Sequence, residues 1–451
     1  MSSWKDHSLW VAMQSAFGTP NTTDTDFVAL LAEAPTVSFE HESQDLDLMT
    51  GQVGAAPETL VGRRKATLTF KLPLEGFVSG YDPTSEDPGG TPAGDEVIPT
   101  WFVMLANAMG SNNSAVSSNA NFLRGLACST SQFTAGGMAS GTATTIVCDN
   151  ATASDKIDVG QLAVASASTT STSPQIGWSK TKSGQTVTLF EAAKNDINDP
   201  AANLYGTATA YASSEVSGTN ALTFRWTGPE TVFCVELLDA VCEKARCTWN
   251  MGEVPTIEFS YKCYNFQLNK ADGGLGVPKA YNRIPQLIGT ANARTVLMAE
   301  SSTQCGLEDC AWEWSATLED VVCHGADSGV SAVNIVDPRI SAEFSIPHDS
   351  SDNAFDSAGS PATVGQHVLQ SAYERQDRMS VGVYVGSQVG RIWAFLIPSG
   401  TIPETPNVSM RDKTVAYSVK VQAASYTGDT SDTAETTLTS PIDSIARMAL
   451  A

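Results

Sequence analysis

The run RRKATLTFKLPL, Arg63–Leu74, alternates polar and apolar side chains with a period of two and then meets a proline. That is the pattern of a strand with one face in a core and the other in water. It returns in RISAEFSIPH, Arg339–His348. At an offset of 274 residues (344 − 70), Phe70 meets Phe344, Leu72 meets Ile346, Pro73 meets Pro347 and Ala66 meets Ile340. Any two amphipathic strands can match once, so the constraint on the fold comes from what surrounds them.

The surroundings match in order. A short strand, TVSFEHE, precedes the first copy across the loop Ser43–Val61, and CAWEWSATLED precedes the second across the loop Val321–Asp337. After the first copy, Pro99 opens a helix that runs through Leu105 and stops at Gly110. After the second, Thr363 is placed to cap a helix with Val368, Leu369, Ala372 and Tyr373 on one face. Hairpins follow, ALTFRW to TVFCVELL through TGPE, and MSVGVYV to RIWAFLIP through GSQVG. Each half closes on a longer strand, with Ile257, Phe259, Tyr261 and Cys263 on one face in the first and Val415, Tyr417, Val419 and Val421 in the second. The offset there is 158 (415 − 257), which places 116 extra residues (274 − 158) in the first half.

This order predicts a mainly β protein with one helix per repeat: two tandem β-sandwich or barrel domains and a small all-β insertion domain. The first repeat takes residues 36–110 and 219–270, and the second takes 301–426. The insertion, 111–218, is rich in Ser, Thr, Ala and Gly and holds short alternating pieces such as TTIVC, QLAVAS and TVTLFEA. Residues 1–35 form an N-terminal arm, 271–300 a Gly-containing linker, and 427–451 an extended tail with a short helix at its end. Leu68, Phe70, Leu72, Ile257, Phe259, Trp312, Trp314, Phe344, Ile346, Val415 and Tyr417 are the expected repeat core.

Motifs of chemistry are missing. There is no G-x-S-x-G elbow, phosphate loop, H-E-x-x-H helix or dinucleotide fingerprint. The five histidines are dispersed, and His324, near Asp320 and Asp327, is the one place where a triad would be sought; an exposed loop is the simpler reading. Asp45 with Asp47, and Glu313 with Glu319, are ordinary carboxylates of a loop and of a strand's polar face rather than a glycosidase pair. NDINDP, 195–200, has the acid density of a calcium loop without its glycine or distal glutamate. Nine cysteines, scattered singly through strand-like segments, read as reduced buried thiols, with no zinc spacing among them. The chain is therefore read as a non-enzyme with no metal and no cofactor.

Charge and hydropathy narrow the partners. Asp and Glu outnumber Lys and Arg by 49 to 26, a formal net charge of −23, which argues against a surface built to grip nucleic acid. No run of eighteen apolar residues exists, and the first twenty residues lack the apolar centre of a signal peptide, so a cytoplasmic protein without membrane insertion is expected. Trp226, Trp249, Trp312, Trp314 and Trp393 fall on strands, where core packing accounts for them; an exposed row that stacks on sugars is the alternative.

The opening WVAMQSAFGTPNTTDTDFVALL, the strand and loop TVSFEHESQDLDLMTGQVGAAPETLVG, the strand RRKATLTFKL, the helix, and the closing RIWAFLIPSGTIPETPNVSMRDKTVAYSVKV together resemble the tail tube proteins of long-tailed bacteriophages. The likeness spans nearly the whole chain outside the insertion and rests on strand and loop patterns rather than invariant residues. It implies a β-sandwich or partial barrel with a packed helix, closing into rings whose inner strands line a channel, with the long loop lying across the next ring. Asp45, Asp47, Met49, Gln52 and Glu58 in the first loop, and His324, Asp327 and Asn334 in the second, become inter-ring candidates. Two fused units imply three chains per ring, with the insertion outside; a single larger unit in a true hexamer is the alternative. The implied partners are further copies of itself, a tape-measure protein, a tail terminator, distal tail or baseplate proteins, and DNA passing without specific binding. The implied location is the virion tail, assembled in the host cytoplasm. Inward-facing acids would keep DNA from sticking, and Arg225 and Glu236 on the hairpin's polar faces are candidates for that wall, Arg225 working against a purely acidic one. A β-rich adhesin or carbohydrate-binding module is the reading from another class.

Overall fold

A computed structural model of the chain describes residues 7–46, 58–76, 99–110, 145–147, 162–166, 175–183, 186–189, 203–205, 208–212, 221–228, 234–250, 252–268, 293–298, 302–305, 309–323, 329–347, 370, 373–386, 392–411, 414–424 and 445–450. They are mainly strands, paired antiparallel. Chain order runs β1 (Ser8–Met13), β2 (Val28–Leu30), β3 (Glu33–Leu46), β4 (Glu58–Pro73) and α1 (Thr100–Ala108). Five short strands follow: β5 (Thr145–Val147), β6 (Leu162–Ser166), β7 (Gln175–Ser183), β8 (Thr186–Leu189) and β9 (Asn203–Tyr205). Then come β10 (Ala208–Ala212), β11 (Leu222–Thr227), β12 (Cys234–Asn250), β13 (Thr256–Leu268), β14 (Ala293–Met298), β15 (Ser302–Cys305), β16 (Asp309–Val322) and β17 (Val330–Pro347). The last are β18 (Met379–Val385), β19 (Trp393–Thr401), β20 (Asn407–Arg411), β21 (Thr414–Ala423) and β22 (Ala446–Leu450).

Sequence alternation becomes burial alternation. In β13, Ile257, Phe259, Tyr261 and Cys263 are buried while the residues between them are half-exposed. Leu68, Phe70 and Leu72 do the same in β4, Trp312 and Trp314 in β16, and Phe344 in β17. Ile346, Val415 and Tyr417 occupy strand positions in β17 and β21. The aromatics share one core: Phe70 lies 5.8 Å from Phe224 and Phe259, and Trp249 of β12 stacks on Trp393 and Phe395 of β19 at 5.0 and 5.1 Å.

One long sheet runs β3, β4, β13, β12, β16, β17, β21, β20. β12 holds it together by changing partners. Thr227 to Leu222 of β11 pair with its first half, and beyond the irregularity at Cys242–Lys244 its second half pairs with β16, from Lys244↔Ser315 to Asn250↔Asp309. β13 lies along its other edge in both halves.

The ladders recur in the two halves. The pairings β1–β2, β1–β11, β3–β4, β4–β13, β11–β12 and β12–β13 correspond to β14–β15, β14–β18, β16–β17, β17–β21, β18–β19 and β19–β21. Register fixes the residues. Phe70 faces Phe259 and Leu72 faces Ile257; Phe344 faces Val419 and Ile346 faces Tyr417. Ile257 thus corresponds to Tyr417, not to Val415, so the closing strands are offset by 160 (417 − 257) and the first half carries 114 extra residues (274 − 160). The same 160 relates Ala240↔Cys263 to Gly400↔Ala423 in a separate ladder. A slide of two keeps every side chain on its face, so alternation alone does not detect it.

Several segments are more ordered than their sequence reads. Residues 1–35 supply β1, which pairs with β11, and β2. The 271–300 segment supplies β14, and the tail supplies β22, a buried strand between β10 and β19 in place of the expected helix. The two long loops are partly hairpin arms, since β3–β4 pair out to Leu46↔Glu58 and β16–β17 out to Val322↔Val330. Pro99 caps α1 from just outside it, and Gly110 ends it at φ +74°. In the second half only residues 370 and 373–375 of the expected helix are described, and those are helical; Thr363, Val368, Leu369 and Ala372 lie outside the described residues. β5–β9 form their own sheet, and its Leu162, Val164 and Trp178 pack on Tyr384, Ala394 and Leu396 of the second half. The NDINDP segment lies outside the described residues.

Gly400 marks the corner where β19 reaches β21. A Cβ there would stand 2.5 Å from Val421 Cγ1 and 3.0 Å from the Gln422 carbonyl oxygen, where the corresponding Ala240 is accommodated. Gly400→Ala is expected to cost about 1–3 kcal/mol by overpacking. A denaturant midpoint equal to that of the parent chain would show the corner has room.

Candidate assembly surface

The distal part of β16 leaves β12 and crosses the polar face of the first half. There, Asp320 collects three donors from two other strands. Lys65 Nζ of β4 lies 3.0 Å from one carboxylate oxygen; Tyr264 Oη and Lys262 Nζ of β13 lie 2.7 and 3.3 Å from the other. Burial alone would raise the Asp320 pKa, but the Tyr264 hydrogen bond and the two ammonium groups outweigh it and hold the carboxyl below its ordinary value. Burial, together with the Asp320 charge, pushes the Tyr264 phenol up. Gly329 completes the contact, lying against the aliphatic stem of Arg63. The arm of one half is thus clamped across the sheet of the other.

The β12–β16 junction is lined on its polar side by ions. Glu313 lies 3.0 Å from Lys244 and 3.4 Å from Arg246, which also reaches Glu343 at 3.4 Å; Lys420 approaches Glu343 at 3.5 Å. Across β3, β4, β13, β12 and β16, Glu33, Lys71, Glu258, Arg246 and Glu313 stand opposite one another in turn. This row alternates in charge. Half-exposed pairs of this kind each contribute little to stability, but they neutralise the cations that take part in them.

The expected acidic wall residues are elsewhere. Arg225 and Glu236 are each 2% exposed and bonded to each other at 2.9 Å, with Asp24 on Arg225 at 2.6 Å and the Phe27 ring 4.0 Å from the guanidinium carbon. They form a buried ion pair, because the Asp24–Phe27 turn between β1 and β2 covers a face of β11 that its own alternation presents as solvent-facing.

Of the inter-ring candidates, Asp45 and Glu58 lie in the β3–β4 ladder, and Asn334 is exposed in β17 opposite Glu319. Asp47, Met49, Gln52, His324 and Asp327 lie outside the described residues. Asp45 faces Thr59 as Asp320 faces Val333, so it holds the position on the first arm that Asp320 holds on the second. Sequence reading missed Lys65, Lys262 and Tyr264 as a site, and, though it set Trp249 on a strand, it did not follow β12 through its second half. KARCTWN, 244–250, carried the signal in its alternation.

The tryptophans are in the core: Trp249, Trp312, Trp314 and Trp393 are buried, and Trp226 is half-buried beside His7. Cys234, Cys242, Cys247, Cys263 and Cys310 are buried and unlinked, and burial raises the Cys242, Cys247 and Cys263 thiols well above their ordinary range. Among the described residues, no three His, Cys, Asp or Glu side chains converge as a metal ligand set, and no helix is long and apolar enough to cross a membrane. No protein-family model matches the chain, and a search of curated proteins finds no match.

Because the Asp320 pKa is lowered on folding, its contribution is complete above the ordinary carboxylate pKa and is lost as pH falls through the lowered value. The arm is expected to stay clamped at neutral pH and to loosen only below about pH 4. Asp320→Asn should reproduce that loosening at neutral pH at a cost of about 1–2 kcal/mol, allowing for partial exposure. Amide exchange across 317–336 reads it; unchanged protection would mean that the arm is held by other contacts.

Proposed function

We propose that this chain is a structural subunit of a phage tail tube, with two tube units fused in one polypeptide. The observation that supports this most is the set of six corresponding ladders in matching register, joined side by side through β12 and β16 into one continuous sheet. A subunit of this kind adds strands laterally, which is what a closed wall requires. After its second strand, one unit has α1, and in the other the described residues 370 and 373–375 are helical.

Three such chains make a ring with sixfold character, and stacked rings make the tube. The clamped β16–β17 arm supports a contact role for the arms, and Asp45 takes the matching ladder position on the first arm. The β5–β9 sheet packs on the face of β18 and β19 opposite the one that carries Phe395 into the shared core, consistent with decoration of the outside. The tube polymerises on a tape-measure protein, meets a terminator at one end and distal tail or baseplate proteins at the other, and conducts DNA within the virion. The adhesin reading loses its aromatic platform, since four of the five tryptophans that would form it are core residues.

Negative-stain electron microscopy of the purified protein at high concentration, with tape-measure and tail-tip partners, should give rings or tubes whose end-on averages have six lobes and three peripheral knobs. Six equal knobs would exclude the fused-unit trimer, and persistent monomers would exclude the tube.

A further inference from the structure

Resting on that reading, we propose the seam by which copies join: β20 of one chain pairs antiparallel with β3 of the next, Val408 opposite Val37. The template is inside the chain. By ladder correspondence, β3 matches β16, since Val37 faces Leu68 as Trp312 faces Ala342. β20 matches the second half of β12, since Val408 faces Tyr417 as Cys247 faces Ile257. Within the chain, β12 and β16 pair with Cys247 opposite Trp312. Their counterparts β20 and β3 stand at the two ends of the long sheet. Among the described residues, each has a ladder on one edge, to β21 and β4 respectively.

The side chains agree with an uncovered joint. Cys247, Trp312 and Trp314 are each 0% exposed at the internal junction, whereas Val408 is 52% exposed, Phe39 is 40% exposed and Val37 is half-buried. Residues that the internal joint covers are open at the outer edges. Transferring the internal register sets Asn407 opposite Ser38, Val408 opposite Val37 and Ser409 opposite Thr36, and brings Phe39 under the incoming strand. The polar side differs: Arg246 and Glu313 pair internally, while Asn407 and Ser38 take their places. The seam between chains is therefore uncharged where the seam within the chain is ionic. An open strand edge with apolar flanks is a template for strand addition, and a second copy presents the matching edge.

The test is a chain with Val37→Cys, Val408→Cys and Cys323→Ser, assembled and exposed to oxidised glutathione, with linked species read on non-reducing gels and by electron microscopy. Opposed strand positions bring Cα atoms to about 4.5–5.5 Å, within disulfide reach. Expected is a closed three-chain species linked between position 37 of one chain and position 408 of the next, and loss of rings in Val408→Asp while its monomer keeps the parent's unfolding midpoint. Rings that form without the link and survive Val408→Asp would overturn the seam and leave the tube reading standing. Linked open ladders without rings would uphold the seam and overturn the ring. Monomers with neither rings nor links would overturn both.

Discussion

The structure depends on one strand edge that serves two partners in succession. β12 is seventeen residues long, and the irregularity at Cys242–Lys244 divides it so that its first half serves β11 and its second half serves β16. Without that change of partner, the sheets of the two halves would each end on an open edge. With it, eight strands share one hydrogen-bonded surface, and Trp249 carries the core of the first half onto Trp393 and Phe395 of the second. Small Cys247 facing large Trp312 fits the alternation of size that lets a joint close without a void.

The second half answers β12 with two strands instead of one. Pro403 and Pro406 fall between β19 and β20, where the first half runs unbroken. Proline withholds a ladder donor and is tolerated in sheets at edges and irregularities. The break leaves β20 as a short edge strand held by β21, a form in which an edge is less prone to unselective pairing than a long flat strand. The element that extends the sheet within the chain thus has as its counterpart a short, selective edge at the end of the sheet.

The strands of both halves were legible because a half-buried strand must alternate, and Phe70, Phe259, Trp314 and Phe344 lie where alternation puts them. Register was not legible: Tyr417 and Val415 share a face, so a slide of two leaves the pattern intact, and the hydrogen-bond ladder alone separates them. Arg225 and Glu236 misled for a related reason. Alternation says which residues share a face and not whether that face is wet, and here a turn from the distant N-terminal segment, with Asp24 and Phe27, closes over it. The Asp320 cluster was hidden in the same way, since Lys65, Lys262 and Tyr264 meet it only through the crossing of one half's arm over the other half's sheet. The IARMAL ending has good helix formers, yet pairing with β10 and β19 makes it β22, tertiary context outweighing a weak local preference.

On the tube reading, the charge of the long sheet bears on passage of DNA. The chain is strongly acidic overall, but the described polar face is not an acidic wall; Glu33, Lys71, Glu258, Arg246 and Glu313 alternate in sign across it. Free Lys and Arg on such a face would bind phosphates by releasing counterions. Here Arg246 is engaged by Glu313 and Glu343, Lys244 by Glu313, Lys71 by Glu258 and Lys420 by Glu343. A phosphate would have to displace a carboxylate already in place and then sit beside it. On that reading, paired cations deny DNA a foothold, while the row of alternating charges offers no apolar area for bases to stack on. On the tube reading, a wall of this kind passes a polyanion by leaving it nothing to hold, and the acid excess that remains acts at longer range.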